Sequence, residues 1–114
     1  MERNKFNNLV INYFNEIKDK YLTDVREEWD GEEIGSTILI EDYLLPFIYK
    51  NINDTKVMNR LSIMLEDLIS LNDEYCEDVL YSSFFEKIHY DNISDKFVQY
   101  YKEKTLDFFN KLKF

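Results

Sequence analysis

Apolar residues recur at helical spacing along most of the chain. Between residues 3 and 22, Phe6, Leu9, Val10, Tyr13, Phe14, Ile17 and Tyr21 follow one another at steps of three and four, with Asn7, Asn8, Asn12, Glu16 and Asp19 between them. The spacing predicts a first helix over 3–22. It fails over residues 24–35, where Gly31 and Gly35 interrupt it and carboxylates crowd it, so a long acidic loop is expected there. Ser36 has the chemistry of an N-cap, with an oxygen able to accept a first-turn amide proton. "TILIEDYLLPFIYKNI" then reads as a second helix, which Pro46 should kink or end. The β-branched run "STILI" also suits a strand. Asp54 is placed to cap a third helix, "TKVMNRLSIMLEDLISL", with Val57, Met58, Leu61, Met64, Leu65, Leu68 and Leu71 as its apolar stripe. After the short link "SLND", a fourth helix runs from about Asp73 to Tyr90 with Cys76, Val79, Leu80, Phe84 and Ile88 inward. Ser94 is placed to cap a fifth, "DKFVQYYKEKTLDFFNKLKF". Its stripe is Phe97, Val98, Tyr101, Thr105 or Leu106, Phe108, Phe109 and Leu112.

Five helices imply an all-α fold, a single domain over residues 1–114 built as a bundle or a stack of helical hairpins. Composition agrees. Two glycines and one proline leave few sites for the tight turns of a hairpin-rich β fold. Nine Phe and nine Tyr supply core material that a disordered chain lacks, despite the net charge of −9. No run approaches the ~18 apolar residues of a membrane span. "MERNKFNNLVINYFNEIK" has no uninterrupted apolar stretch like that of a signal peptide, and the lone Cys76 permits no internal disulfide. A cytoplasmic location is expected.

The charge is polarised. Residues 24–42 hold eight carboxylates against Arg26, residues 66–78 hold six with no base, and the remainder has more bases than acids. The short link makes helices three and four antiparallel neighbours. Glu66 and Asp67 near the end of one, and Glu74, Glu77 and Asp78 in the first turns of the next, therefore gather at one end of a hairpin. Asp73, Glu74 and Glu77 suit the positive end of a helix dipole. Glu66 and Asp67 stand near a negative end, where the helix alone would favour Lys or Arg. In "REEWDGEEIG", Trp29 sits among Glu27, Glu28, Asp30, Glu32 and Glu33. Either Trp29 folds back onto the core and the acids are merely solvated, or it is an anchor ring in an acidic collar. Tryptophan is enriched at interface hot spots, and acidic rims steer basic partners. With Asp42 and the hairpin acids, these residues form the candidate partner-binding set.

Catalytic and metal chemistry find no matching pattern. His89 and Cys76 are each the only residue of their type, so no cluster has zinc-ligand spacing. An EF-hand with Gly31 at its sixth position would begin at Arg26 and end at Thr37, where Asp and Glu are required. His89, near a helix end, suits the capping of carbonyls. Cys76 lies among acids on an apolar stripe, which raises a thiol's pKa and blunts it. Ser82 and Ser83 have only His89 as a base, without triad spacing, and two glycines cannot build a phosphate loop. Paired acids such as Glu27/Glu28 or Glu41/Asp42 do not face each other on a helix, and an exposed loop would not tune them. No cofactor and no enzymatic activity are expected, and net −9 disfavours direct nucleic-acid binding.

The middle of the chain, "EDYLLPFIYKNIND…NRLSIMLEDLISLNDEYCEDVLYSSFFEKI", resembles small acidic all-helical bacterial proteins of the immunity type, over roughly residues 36–90. The resemblance implies a cytoplasmic protein that binds and blocks a cognate toxin. The leading expectation is thus an inhibitor of a basic partner, a toxin or nuclease domain, whose cationic groove the carboxylates occlude. Two other readings stand beside it: a phage-borne nucleic-acid mimic that blocks a nuclease, and a homodimeric structural or regulatory domain whose acidity serves solubility. Salt separates electrostatic occlusion, which it weakens, from an apolar dimer, which it does not.

Overall fold

The helices enclose one continuous apolar cluster, from Phe6 near the start of the chain to Phe97 near its end. In the computed structural model, residues 1–28 and 34–114 are described. All regular structure among them is helical, with no strand. We number seven helices: α1 (Arg3–Tyr13), α2 (Lys18–Glu27), α3 (residues 36–50), α4 (Thr55–Ser70), α5 (residues 74–90), α6 (Ser94–Val98) and α7 (Glu103–Asn110). The radius of gyration, 13.6 Å, is close to the roughly 13 Å of a compact domain of this length. None of the helices is long and apolar enough to cross a membrane, among the described residues.

Helices α4 and α5 follow the sequence pattern closely. Val57, Met58, Leu61, Met64, Leu65 and Leu68 are buried, as are Cys76, Val79, Leu80, Phe84 and Ile88. Asp54 caps α4 by accepting from the Lys56 and Val57 amides at 3.0 and 3.3 Å. Asp73 caps α5 by accepting from the Cys76 amide at 3.0 Å. Leu71 departs from the pattern. The helix ends at Ser70 and the chain turns through Asn72 at φ 51°, which leaves Leu71 half exposed. Asn92, at φ 59°, makes the corresponding turn after α5. Asparagine tolerates this left-handed backbone better than most residues, which is how a chain with two glycines closes both turns.

Four expectations need correction. The first helix is not continuous over 3–22. It ends at Tyr13, and Phe14 adopts φ −128°, ψ 72° before a 3₁₀ turn over Asn15–Ile17. The break is met by Arg60 of α4. Its guanidinium lies 4.7 Å from the Phe14 ring, reaches the freed Tyr13 carbonyl at 3.5 Å, and pairs with both oxygens of Glu16 at 3.0 and 2.6 Å. The segment from residue 24 is not all loop, because α2 runs through Glu27. The fifth helix is two: α6 ends at Val98 and α7 begins at Glu103. Between them a turn, closed by the Tyr100 and Tyr101 amides on the Phe97 and Val98 carbonyls, lays both tyrosines partly buried against the core. Finally, neither Ser36 nor Ser94 is an N-cap. Gly35 and Ile93 hold those positions, and the Ser36 hydroxyl is buried and engaged elsewhere.

Two helices contain π turns. In α3, which is helical from Ser36 and so settles against the strand, the Leu45 amide bonds the Ile40 carbonyl five residues back, immediately before Pro46. The register changes where the proline ring and its missing N–H would disturb an α turn, and the helix continues to Lys50. In α5 the Glu86 amide bonds the Tyr81 carbonyl in the same way. This wide turn brings Ser83, Phe84 and Phe85 into the core in succession, and the Ser83 hydroxyl donates to the Val79 carbonyl.

Cys76 is fully buried. Burial first, then the charge of Asp73, pushes its thiol up to about 11. At pH 8 we expect an aromatic disulfide reagent to label the folded chain about a hundredfold or more slower than the chain in denaturant. Equal rates would place the thiol at the surface.

Candidate protein-binding face

The site is assembled from the carboxylates, and the structure divides them by what they touch. One group ties helices together. Asp24, on α2, accepts from the Tyr43 hydroxyl of α3 and pairs with Lys20 at 3.0 Å. The Tyr43 hydrogen bond first, and Lys20 second, hold its pKa below the usual carboxylate value. Asp67 accepts from Tyr13 of α1, whose hydroxyl is pushed up to about 12 by burial and by Asp67. Asp91 accepts from Tyr49 of α3 at 2.7 Å. Asp73 pairs with the Met1 amino group at 2.7 Å besides capping α5.

Glu66 belongs to the same group. Its Oε1 accepts from the Thr105 amide and hydroxyl, both at 2.9 Å, and its Oε2 from the Lys104 amide at 3.1 Å. A side chain from α4 thus caps the N-terminus of α7, and α7 exists as a separate helix where this carboxylate meets it. Desolvation alone would raise the Glu66 pKa, but the three hydrogen bonds outweigh it and the value is lowered. Glu66 and Asp67 therefore have internal partners that account for acids at the negative end of α4. Sequence spacing could not disclose them, because Thr105 and Tyr13 come from distant parts of the chain.

The second group has no such role. Glu27, Glu28, Asp42, Glu74 and Asp78 are exposed, and Glu77 is half-buried. None makes an ion pair or side-chain hydrogen bond with a described residue. Glu27 and Glu28 end α2, where the helix dipole opposes a negative charge. These two, read in sequence as loop residues, are acids at a wrong helix end without an ion pair to a described residue, although the charge of Lys20 attracts Glu28. Glu28 and Asp42 converge near Tyr43. Burial, the Asp24 hydrogen bond, and the charges of Asp24, Glu28 and Asp42 together raise its hydroxyl well above the ordinary value. Trp29, Asp30, Glu32 and Glu33 lie outside the described residues.

The two acidic segments meet at Ser36. Its hydroxyl donates to Asn7 Oδ1 at 2.7 Å and lies 2.7 Å from the Tyr75 hydroxyl, in the first turn of α5. The Asn7 amide in turn donates to the Ile34 carbonyl at 2.7 Å. This buried node fixes the end of the 24–35 connection beside the turn that carries Asp73, Glu74 and Glu77. No group of three or more His, Cys, Asp or Glu among the described residues is arranged to hold a metal ion. His89, expected to cap carbonyls, instead stacks on Phe114 at 4.6 Å.

No protein-family model matches the chain, and no curated protein or solved structure is significantly similar to it.

Proposed function

We propose that this chain is a non-enzymatic binding protein of the immunity type, which engages a basic toxin or nuclease domain through its unpaired acids and blocks the groove where nucleic-acid phosphates would lie. The observation that supports the reading is the division of the carboxylates. Glu27 and Glu28 stand at the end of α2, which disfavours a negative charge, and Glu28 and Asp42 both lie near Tyr43. None of the three has an ion pair or side-chain hydrogen bond to a described residue, and only Lys20 attracts Glu28 from farther off, while comparable acids elsewhere have internal partners. Acids that stand against a helix dipole without an ion pair among the described residues are candidates for recognition. In this reading Glu74, Glu77 and Asp78 extend the negative face across the Ser36–Tyr75 node. Trp29, by its residue type, supplies an apolar anchor that slows release in this reading.

The test is titration of the chain with the basic protein encoded beside it in its native genome. Affinity should fall by orders of magnitude from low to moderate ionic strength. Reversing Glu27, Glu28 and Asp42 to Lys should slow association, and Trp29→Ala should speed dissociation. Binding that ignores both salt and these substitutions would remove the reading.

A further inference from the structure

Between α7 and the α4–α5 turn lies a cleft of about 440 Å³. Its floor is apolar, made by Ile69, Phe108 and Leu112. Its rim carries Lys104 and Asp107 of α7 and Lys111 just past its end, at steps of three and four, with Glu77 of α5 also lining it. None of these four side chains makes an ion pair with a described residue. In the cleft beside Pro46 and Phe47, by contrast, Glu16 is held by Arg60 and Lys20 by Asp24, which leaves only Asp42 and Lys50 of its charges without an ion pair to a described residue.

We propose that this cleft is the docking surface for a second copy of the same chain, related by a two-fold axis. A two-fold interface brings one patch against itself, so each charge must find its opposite within that same patch. Two lysines and two carboxylates around an apolar floor meet this requirement. A uniformly basic or uniformly acidic partner would set half of the rim against like charge. The net charge of −9 opposes association over most of the surface, but the rim of this cleft is balanced. Two copies approach here without facing acid to acid, and repulsion from the rest is screened beyond about 8 Å at physiological salt. The proposal is independent of the immunity reading, with which it shares only Glu77.

Two charge-reversed proteins test it. One carries Lys104→Glu and Lys111→Glu, the other Glu77→Lys and Asp107→Lys. The wild-type chain should sediment at twice its 13.9 kDa mass as concentration rises from micromolar toward millimolar. Each variant alone should stay at the single-chain mass, and an equimolar mixture of the two should recover the doubled mass. A wild type that remains monomeric throughout, or variants that dimerise alone, would overturn the proposal. A second measurement needs no substitution: a zero-length carbodiimide cross-linker applied to mixed ¹⁵N-labelled and unlabelled wild type. Isotopically mixed links from Lys104 or Lys111 to Glu77 or Asp107 are expected, and their absence sinks the proposal even if a variant fails to fold.

Discussion

Replacing Phe85 by Ala is expected to destabilise the chain by about 3–5 kcal/mol, the range for deleting a fully buried phenylalanine. Phe85 is fully buried. Its ring meets Phe84 edge-on at 5.0 Å, Tyr101 at 5.7 Å, and the tilted rings of Phe108 and Phe109 at 5.6 and 6.1 Å. It is thus the common contact through which α5 holds α7 and the preceding link. Aromatic pairs add roughly 0.5–1.5 kcal/mol each beyond the area they bury, so the loss should fall at the upper end. Denaturant unfolding measures it directly. Hydrogen exchange should show the amides of α7 losing protection before those of α4. Phe85→Leu, which keeps most of the volume, should lose much less. A loss under 1 kcal/mol for the alanine variant would mean that the aromatic cluster does not anchor α7.

The second large effect is at Glu66. Its replacement by Ala leaves two amides and the Thr105 hydroxyl without their acceptor, while Thr105 remains buried. A cost of about 1–3 kcal/mol is expected. Glu66→Gln keeps one oxygen acceptor and should lose less. The carboxylate also predicts a pH response. Because folding lowers the Glu66 pKa from 4.5, the unfolded chain takes up the proton first as pH falls. The stabilisation is therefore complete above the ordinary glutamate value and is lost as pH falls through the folded one. Glu16, lowered mainly by its Arg60 hydrogen bond, and Asp24 and Asp73 act in the same direction. The wild type should lose stability steeply below about pH 4.5, and Glu66→Gln should flatten that slope. An unchanged slope would show that the cap to α7 does not form.

The parts of the fold that were legible are those governed by neighbours in sequence. The stripes of α4 and α5 and the caps at Asp54 and Asp73 depend on residues three or four apart, and spacing reveals them. The breaks at Phe14 and at 99–102 depend on Arg60 and Glu66, which arrive from other helices. Three- and four-residue steps run on through a 3₁₀ turn or a short link, so periodicity smooths over both. The π turn before Pro46 left a sign, because a proline in an apolar helical run must disturb something. That over Tyr81–Phe85 left none beyond three consecutive residues that all turn out buried. The candidate face was legible as charge and not as geometry. Both segments can be read by counting acids, but only the tertiary hydrogen bonds separate Glu66 and Asp67, which make them, from Glu27 and Glu28, which make none with a described residue.

That separation is the centre of the account, and the thermal stability of one variant tests it most directly. Glu27, Glu28 and Asp42 are changed together to Gln, Gln and Asn, which removes the charges and keeps the shapes. If these acids are held for a partner and not for the fold, relieving their mutual repulsion and their conflict with the end of α2 should leave the melting temperature unchanged or raise it. A melting temperature several degrees below that of the wild type would show that these carboxylates hold the fold together, and would contradict the account.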